Sequence, residues 1–401
     1  MPQDPLQPDT AEPDLRRQLL PPSLLGRFDD AFALSCRLYD EYIHRLALRV
    51  FRLSGLEDAS RTDADTAELV RRAGLDPARA EIPVGWILRQ LAARGVLDAT
   101  GPSASASRYC LAGPAPDLDP SEILERQRTA DPSWLPSYEL ACIAAEGYPD
   151  FLRGRISGEE ILFSPGRVDL WFEYFSNANG LYSINNLVGA QAAVGMLPEG
   201  KPHRVLEMGG GLGSAALALL DEFVRADRIG EIAQYRFTEI VPTFLRRGQR
   251  ALLERFPDAP FLSFSRFDMN RSFEEQGAPA GSCDAVYAVN TLHVARDLLF
   301  TLGEIRRALA PGGTLILGEC VRPFPDQAIY VEFVFNLVEA FRAPILDPRF
   351  RPNGGFLTPE QWIAALEIGG FRDVRFYPDI QRIRRSFPTF YVAAVGATRR
   401  D

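Results

Sequence analysis

The stretch RVLEMGGGLGSAALALL, residues 204–220, constrains the fold more than any other part of the chain. An apolar run ends in an acid, breaks into glycines and reopens with helical spacing: a strand, a tight turn and a helix in succession. Gly209, Gly211 and Gly213 lack a Cβ, so backbone there can approach a ligand closely. From His203 onward RVLEMG, YRFTEI, PFLSFSRFDM, CDAVYAVN and GTLILGEC read as five strands alternating with helical segments, and VRFYP with TFYVAAVGA as a closing pair. That alternation predicts an α/β fold, an open sheet with helices on both faces.

The dinucleotide fingerprint G-x-G-x-x-G fails here, because Ser214 stands where its third glycine would be. Glu207, just before the glycines, repels a pyrophosphate and favours a cation, such as an ammonium group beside a sulfonium. S-adenosylmethionine is therefore the expected cofactor. Glu239, ending the second strand, is suited to the ribose hydroxyls. Asp268, ending the third, is suited to the adenine amino group, with Met269 against the ring, and Asn290 ends the fourth. Taken singly, each acid also reads as a helix cap or a solvated loop residue.

A chain of 401 residues, 46% apolar, suits two or three domains. Its 44 basic and 53 acidic residues give a net charge of −9, which argues against a main task of gripping phosphate backbones. The five cysteines are scattered and form no CxxC pair, so neither disulfides nor a metal site is indicated and a reducing cytoplasm fits. No signal peptide or membrane span is expected.

Residues 1–18 are polar and proline-rich and read as a disordered tail. Over 19–115 a long helical stretch precedes helix, turn, helix, strand, wing and strand, an order that resembles a winged helix. Residues 57–113 carry eight acidic and seven basic side chains, so packing or dimerisation fits that region better than DNA binding, and the expected partner is a second copy of the chain. Residues 116–200 read as a helical linker and substrate cap. Trp171, Tyr174, Asn177, Tyr182 and Asn185 there are candidates for lining a pocket, or equally for ordinary packing. Residues 201–401 form the expected catalytic domain. Within it, DQAIYVEFVFNLVEAFRAP reads as an amphipathic helix able to form a lid, and Arg349 and Arg351 as solvated.

The acids at three successive strand ends, with the glycine turn of ALAPGGTLILGE, resemble the Rossmann-like S-adenosylmethionine-dependent methyltransferases over residues 200–400. His293, one of three histidines, leaves the fourth strand on the same edge as the glycine loop, where a base for methyl transfer would stand. Two families carry a histidine there. Small-molecule O-methyltransferases combine it with an N-terminal winged-helix dimerisation domain, but Asp and Trp typically follow it, and here Val294 and Ala295 do. The run NTLHVARDLLFTLGEIRRALAPGGTLILGECVRP is more similar to the C-methyltransferase domains of polyketide synthases. That resemblance implies a catalytic pair, His293 and Glu319, acting on an acidic carbon of a small biosynthetic intermediate, free or tethered to a carrier protein. O-methylation, another reaction on the same fold, and a DNA-binding regulator stand as alternatives.

Overall fold

The computed structural model describes Leu6 and residues 12–101, 107–387 and 389–400. The chain divides into two compact units. The first comprises residues 1–14, 28–174 and 324–342, and the second 15–27, 175–323 and 343–401.

The first unit is mainly helical. Helix Asp30–Leu53 starts at Asp29, whose side chain accepts from Phe32 N at 2.9 Å. Strands β1 (Ala64–Asp65), β2 (Leu97–Thr100) and β3 (Arg108–Leu111) form an antiparallel sheet in the order β1-β3-β2, with helices Thr66–Arg72 and Pro77–Ala93 between the first two. Most of the expected wing, residues 102–106, lies outside the described residues.

Part of the expected tail is ordered. Residues 1–5 and 7–11 lie outside the described residues, but Glu12–Leu19 is a helix, and Glu12 pairs with Arg37 at 2.8 Å. Its charges suit the helix dipole, with acids in the first turn and arginines in the last, a local signal that composition obscured.

The expected amphipathic helix near residue 330 is replaced by two four-residue helices, Glu332–Phe335 and Glu339–Arg342, which belong to the first unit. There Glu332 accepts from Trp86 Nε1 at 3.1 Å, and Phe333 is fully buried beside the Tyr148 ring, 4.9 Å between centroids. The apolar run serves that unit's core, so it lacks the polar face that a surface helix needs.

The second unit holds the seven-stranded sheet. It comprises β4 (His203–Met208), β5 (Ile232–Glu239), β6 (Leu262–Arg266), β7 (Cys283–Val289), β8 (Leu309–Cys320), β9 (Phe371–Tyr377) and β10 (Val392–Arg399). Their order is β6-β5-β4-β7-β8-β10-β9, and β10 alone runs antiparallel to its neighbours. The strands read from the sequence are all present. β7 and β8 are near-continuous apolar runs because both faces of the sheet are covered. On one face Leu206, Met208, Val286, Leu315 and Val395 pack with Leu302, Ile305 and Trp362 from helices Leu298–Ala308 and Pro359–Ile368. The order of the chain reverses between β4 and β7, the switch point at whose carboxyl ends open α/β sheets commonly bind their ligands.

Helix Gly180–Met196, expected within the linker, belongs to this unit and approaches the sheet closely. A Cβ on Gly189 would lie 2.9 Å from the Tyr287 hydroxyl. Among the described residues, no helix is long and apolar enough to cross a membrane.

Candidate active site

The loop after β4 has positive φ at Gly209, Gly211 and Gly213, of 63°, 56° and 86°. Three of its glycines are required by protein neighbours. A Cβ on Gly209 would lie 2.6 Å from the Thr291 side chain, one on Gly210 would enter the Phe237 ring, and one on Gly213 would lie 3.2 Å from Gly248 Cα. At Gly211 a Cβ would meet open space, so no protein neighbour accounts for that glycine. Gly210 and Gly248 were missed. Gly248 did carry a signal, because glycine inside helix Pro242–Arg255 costs roughly 0.5–1 kcal/mol relative to alanine and marks a close approach.

Glu239 fixes this loop. Its Oε2 accepts from Gly211 N at 2.9 Å and its Oε1 from Val241 N at 2.8 Å. Burial pushes its pKa up, and these amides oppose the shift. Each oxygen keeps a further lone pair, so ribose hydroxyls can still be accepted.

Glu207 is 1% exposed, and neither of its oxygens has a hydrogen-bond partner among the described residues. Burial pushes its pKa up to about 8; the nearby Tyr235 hydroxyl opposes the shift, without a hydrogen bond of good geometry, and Glu239 adds to it. Glu207 stands in register opposite Tyr287, on the strand face that also carries Tyr235, and both phenols are buried. A buried carboxyl with unsatisfied oxygens beneath a glycine loop fits a cationic group, which would repay its desolvation.

Asp268 and Met269 are half-buried beyond β6. Asp268 Oδ1 accepts from Asn270 N at 2.9 Å, while Gln276 bonds both backbone groups of Asp268, at 2.7 and 2.9 Å. Met269 packs on the core beside this turn. Asn290 adopts a left-handed φ of 49°, and its side chain accepts from Cys320 N at 3.2 Å.

The turn Leu292–Val294 then presents His293, whose Nδ1 lies 2.7 Å from Glu319 Oε2. The other oxygen of Glu319 accepts from Leu292 N at 3.0 Å and Thr291 N at 3.3 Å. Glu319 is fully buried near the end of β8, with His293 5% exposed. An acceptor-only carboxylate here holds the proton on Nδ1 and leaves Nε2 as the basic nitrogen. The His293 ring rests on Phe356, 4.3 Å between centroids.

Tyr182 is raised in pKa by burial first, then by Cys320, Glu207, Glu239 and Glu319, which places its phenol among the acids of this site. Asn185 is buried with Cys320 Sγ 3.9 Å from its Oδ1. Asn177 has a structural tie: its amide donates to Ser214 O at 2.8 Å and accepts from Asn186 at 2.8 Å, anchoring the helix that follows the glycine loop. Trp171 and Tyr174 belong to the first unit. Trp171 donates to Leu162 O at 2.7 Å and stacks on Phe163, and Tyr174 meets its edge at 5.5 Å. Packing accounts for both.

Arg351 overturns its expected solvation. It is fully buried, its NH1 donates to Ala295 O at 3.0 Å and its NH2 donates to His293 O. Burial pulls its pKa down to about 10, opposed by Glu319.

Residues 206–315 match the family described as methyltransferase domain. Highly reducing polyketide synthase 2 of Gibberella zeae is 29% identical over 273 residues, covering 65% of this chain and 10% of that protein. Methyltransferase calH of Penicillium decumbens is 30% identical over 224 residues, covering 55% of this chain and 56% of that one. The chain thus spans a tenth of the first relative's length and about half of the second's. The solved CurJ carbon methyltransferase superposes with a TM-score of 0.75 at 22% identity, covering 97% of this chain and 99% of that one. Its fold is shared.

Proposed function

We propose that the protein, whose residues 206–315 match a methyltransferase domain, is an S-adenosylmethionine-dependent C-methyltransferase acting on an acidic carbon between two carbonyls. The single observation that carries this reading is the buried contact of 2.7 Å between His293 Nδ1 and Glu319 Oε2. An amine nucleophile needs little help, whereas an acidic carbon needs a base, and a base backed by a buried carboxylate is what the turn provides. Bound S-adenosylmethionine supplies an electrophilic methyl group. Glu207 would hold its ammonium group, Glu239 its ribose, and the turn at Asp268 and Met269 its adenine. His293 Nε2 would take the α-proton and Glu319 would stabilise the resulting imidazolium, leaving on the carbon the electron pair that would accept the methyl group as it left the sulfonium. The imidazolium then returns its proton to solvent.

Polyketide synthases among the relatives support a polyketide-like β-keto acyl acceptor, free or carrier-bound, within specialised metabolism. The order of helices and strands over residues 64–111 supports a winged-helix-type dimerisation module. The test is calorimetric titration with S-adenosylmethionine, then product mass from a β-keto acyl thioester. Cofactor binding with methylation in the wild type, and binding without methylation in His293→Ala, supports the reading. Full turnover by His293→Ala, or methylation of phenols alone, refutes it.

A further inference from the structure

Arg351 is a costly residue to bury: no carboxylate is in direct contact with it, and attraction to the buried Glu319 offsets its desolvation only in part. Among the described residues it makes no ion pair, its Nε has no hydrogen-bond partner, and its side chain is wholly enclosed. A guanidinium taken out of water is normally retained where its planar, forked donors meet a matching geometry. Here the fork spans one turn: NH2 donates to the carbonyl of His293 itself, and NH1 to that of Ala295 at 3.0 Å.

Those two carbonyls flank the point at which the turn Leu292–Val294 must hold its shape for the imidazole to reach Glu319. Glu319 grips the same turn from the other side, through Leu292 N and Thr291 N. Amides are therefore held by a buried anion and carbonyls by a buried cation. The segment that carries Arg351 is itself fixed, with Arg351 N donating to Asp347 O at 2.7 Å and Phe350 in the core. Five residues further on, Phe356 lies against the imidazole at 4.3 Å. One short segment thus touches both the backbone and the ring of His293.

We propose that Arg351 is a positioning residue: it clamps the carbonyls of the His293 turn and so sets the direction of the His293 Nε2 lone pair toward the carbon it deprotonates. The inference rests on the reading of His293 as the base. It specifies a loss confined to proton abstraction, because among the described residues the side-chain hydrogen bonds of Arg351 go to the carbonyls of His293 and Ala295 and to no group assigned to cofactor binding.

The experiment measures α-proton exchange of a β-keto acyl thioester in D2O, with S-adenosylhomocysteine bound, for the wild type, His293→Ala, Arg351→Met and Arg351→Lys. Cofactor-product affinity is measured alongside by calorimetry. Arg351→Met is expected to bind S-adenosylhomocysteine within about threefold of the wild type and to lose about 100-fold of catalysed exchange, the size of effect that a displacement of ~1 Å produces. Arg351→Lys keeps the charge but not the fork, so it is expected to lose most of the same exchange, and it decides the matter if the methionine variant does not fold. Exchange within about threefold of the wild type in a folded variant overturns the inference, as does a parallel fall of exchange and binding in both variants. If His293→Ala retains wild-type exchange, the failure belongs to the base assignment. If His293→Ala loses exchange and both arginine variants keep it, only the clamp fails.

Discussion

Replacing Glu319 by glutamine keeps the side chain's size and one carbonyl oxygen, and it exposes what the carboxylate does. In the wild type one oxygen faces His293 Nδ1 at 2.7 Å and the other takes two backbone amides, at 3.0 and 3.3 Å. A glutamine places its oxygen on those amides, so its NH2 must face Nδ1. The ring then shifts to the tautomer that accepts at Nδ1 and carries its proton on Nε2, where it cannot act as a base. The loss of a charge-assisted hydrogen bond alone costs about 1.5–3 kcal/mol, or roughly 10–150-fold in rate at ~1.4 kcal/mol per decade. The wrong tautomer in an analogous carboxylate–histidine pair costs about 10⁴-fold. The expected fall in kcat for Glu319→Gln is therefore between about 10² and 10⁴. Initial rates on a β-keto acyl thioester at saturating cofactor measure it, with cofactor affinity by calorimetry expected within about threefold of the wild type. A kcat within about threefold of the wild type would refute the reasoning, because a properly oriented base would then not need the carboxylate.

Three other perturbations have defined outcomes. The Glu207 carboxyl, raised from 4.5 to about 8 by burial, binds more protons folded than unfolded across that window, so its contribution to stability falls as pH rises from 4.5 to 8 and is flat beyond. Glu207→Gln should raise the melting temperature of the cofactor-free protein at pH above 8, leave it unchanged near pH 4, and weaken cofactor binding; equal melting temperatures at high pH would show that the carboxyl is not strained. Gly248→Ala would place a methyl 2.5 Å from the Phe237 ring and 3.1 Å from Gly211 O, displacing the glycine loop, and should raise the cofactor dissociation constant at least about tenfold by calorimetry. Trp362→Ala, at a fully buried position in the sheet's core, should cost about 3–5 kcal/mol in denaturant unfolding without altering the sequence of catalytic steps.

The sheet was legible because its central strands β4, β7 and β8 are largely apolar and buried, and because glycine, acid or proline bounds the strands. In those strands local pattern and tertiary context agree. His293 and Glu319 were legible as a pair through resemblance, since nothing local joins residues 26 positions apart. Arg351 was not legible. An arginine in PRFRPNGG has the composition of a solvated loop, and its burial follows from two carbonyls more than fifty residues away. The glycine loop was read as a turn, and what the sequence could not disclose is that Thr291 and Gly248, on distant segments, crowd Gly209 and Gly213. The run around Phe333 has the spacing of a surface helix but is consumed by the core of the first unit, which no periodicity could disclose.

The most direct test of the central claim is the site of methylation. Wild-type protein, S-adenosylmethionine labelled with ¹³C in its methyl group, and a β-keto acyl thioester are combined, and the product is read by carbon NMR. The account expects the labelled methyl group on the α-carbon, at an alkyl and not a methoxy shift, and no labelled product with His293→Ala although that variant binds the cofactor. Label on oxygen, or α-carbon labelling at the wild-type rate without His293, would contradict it.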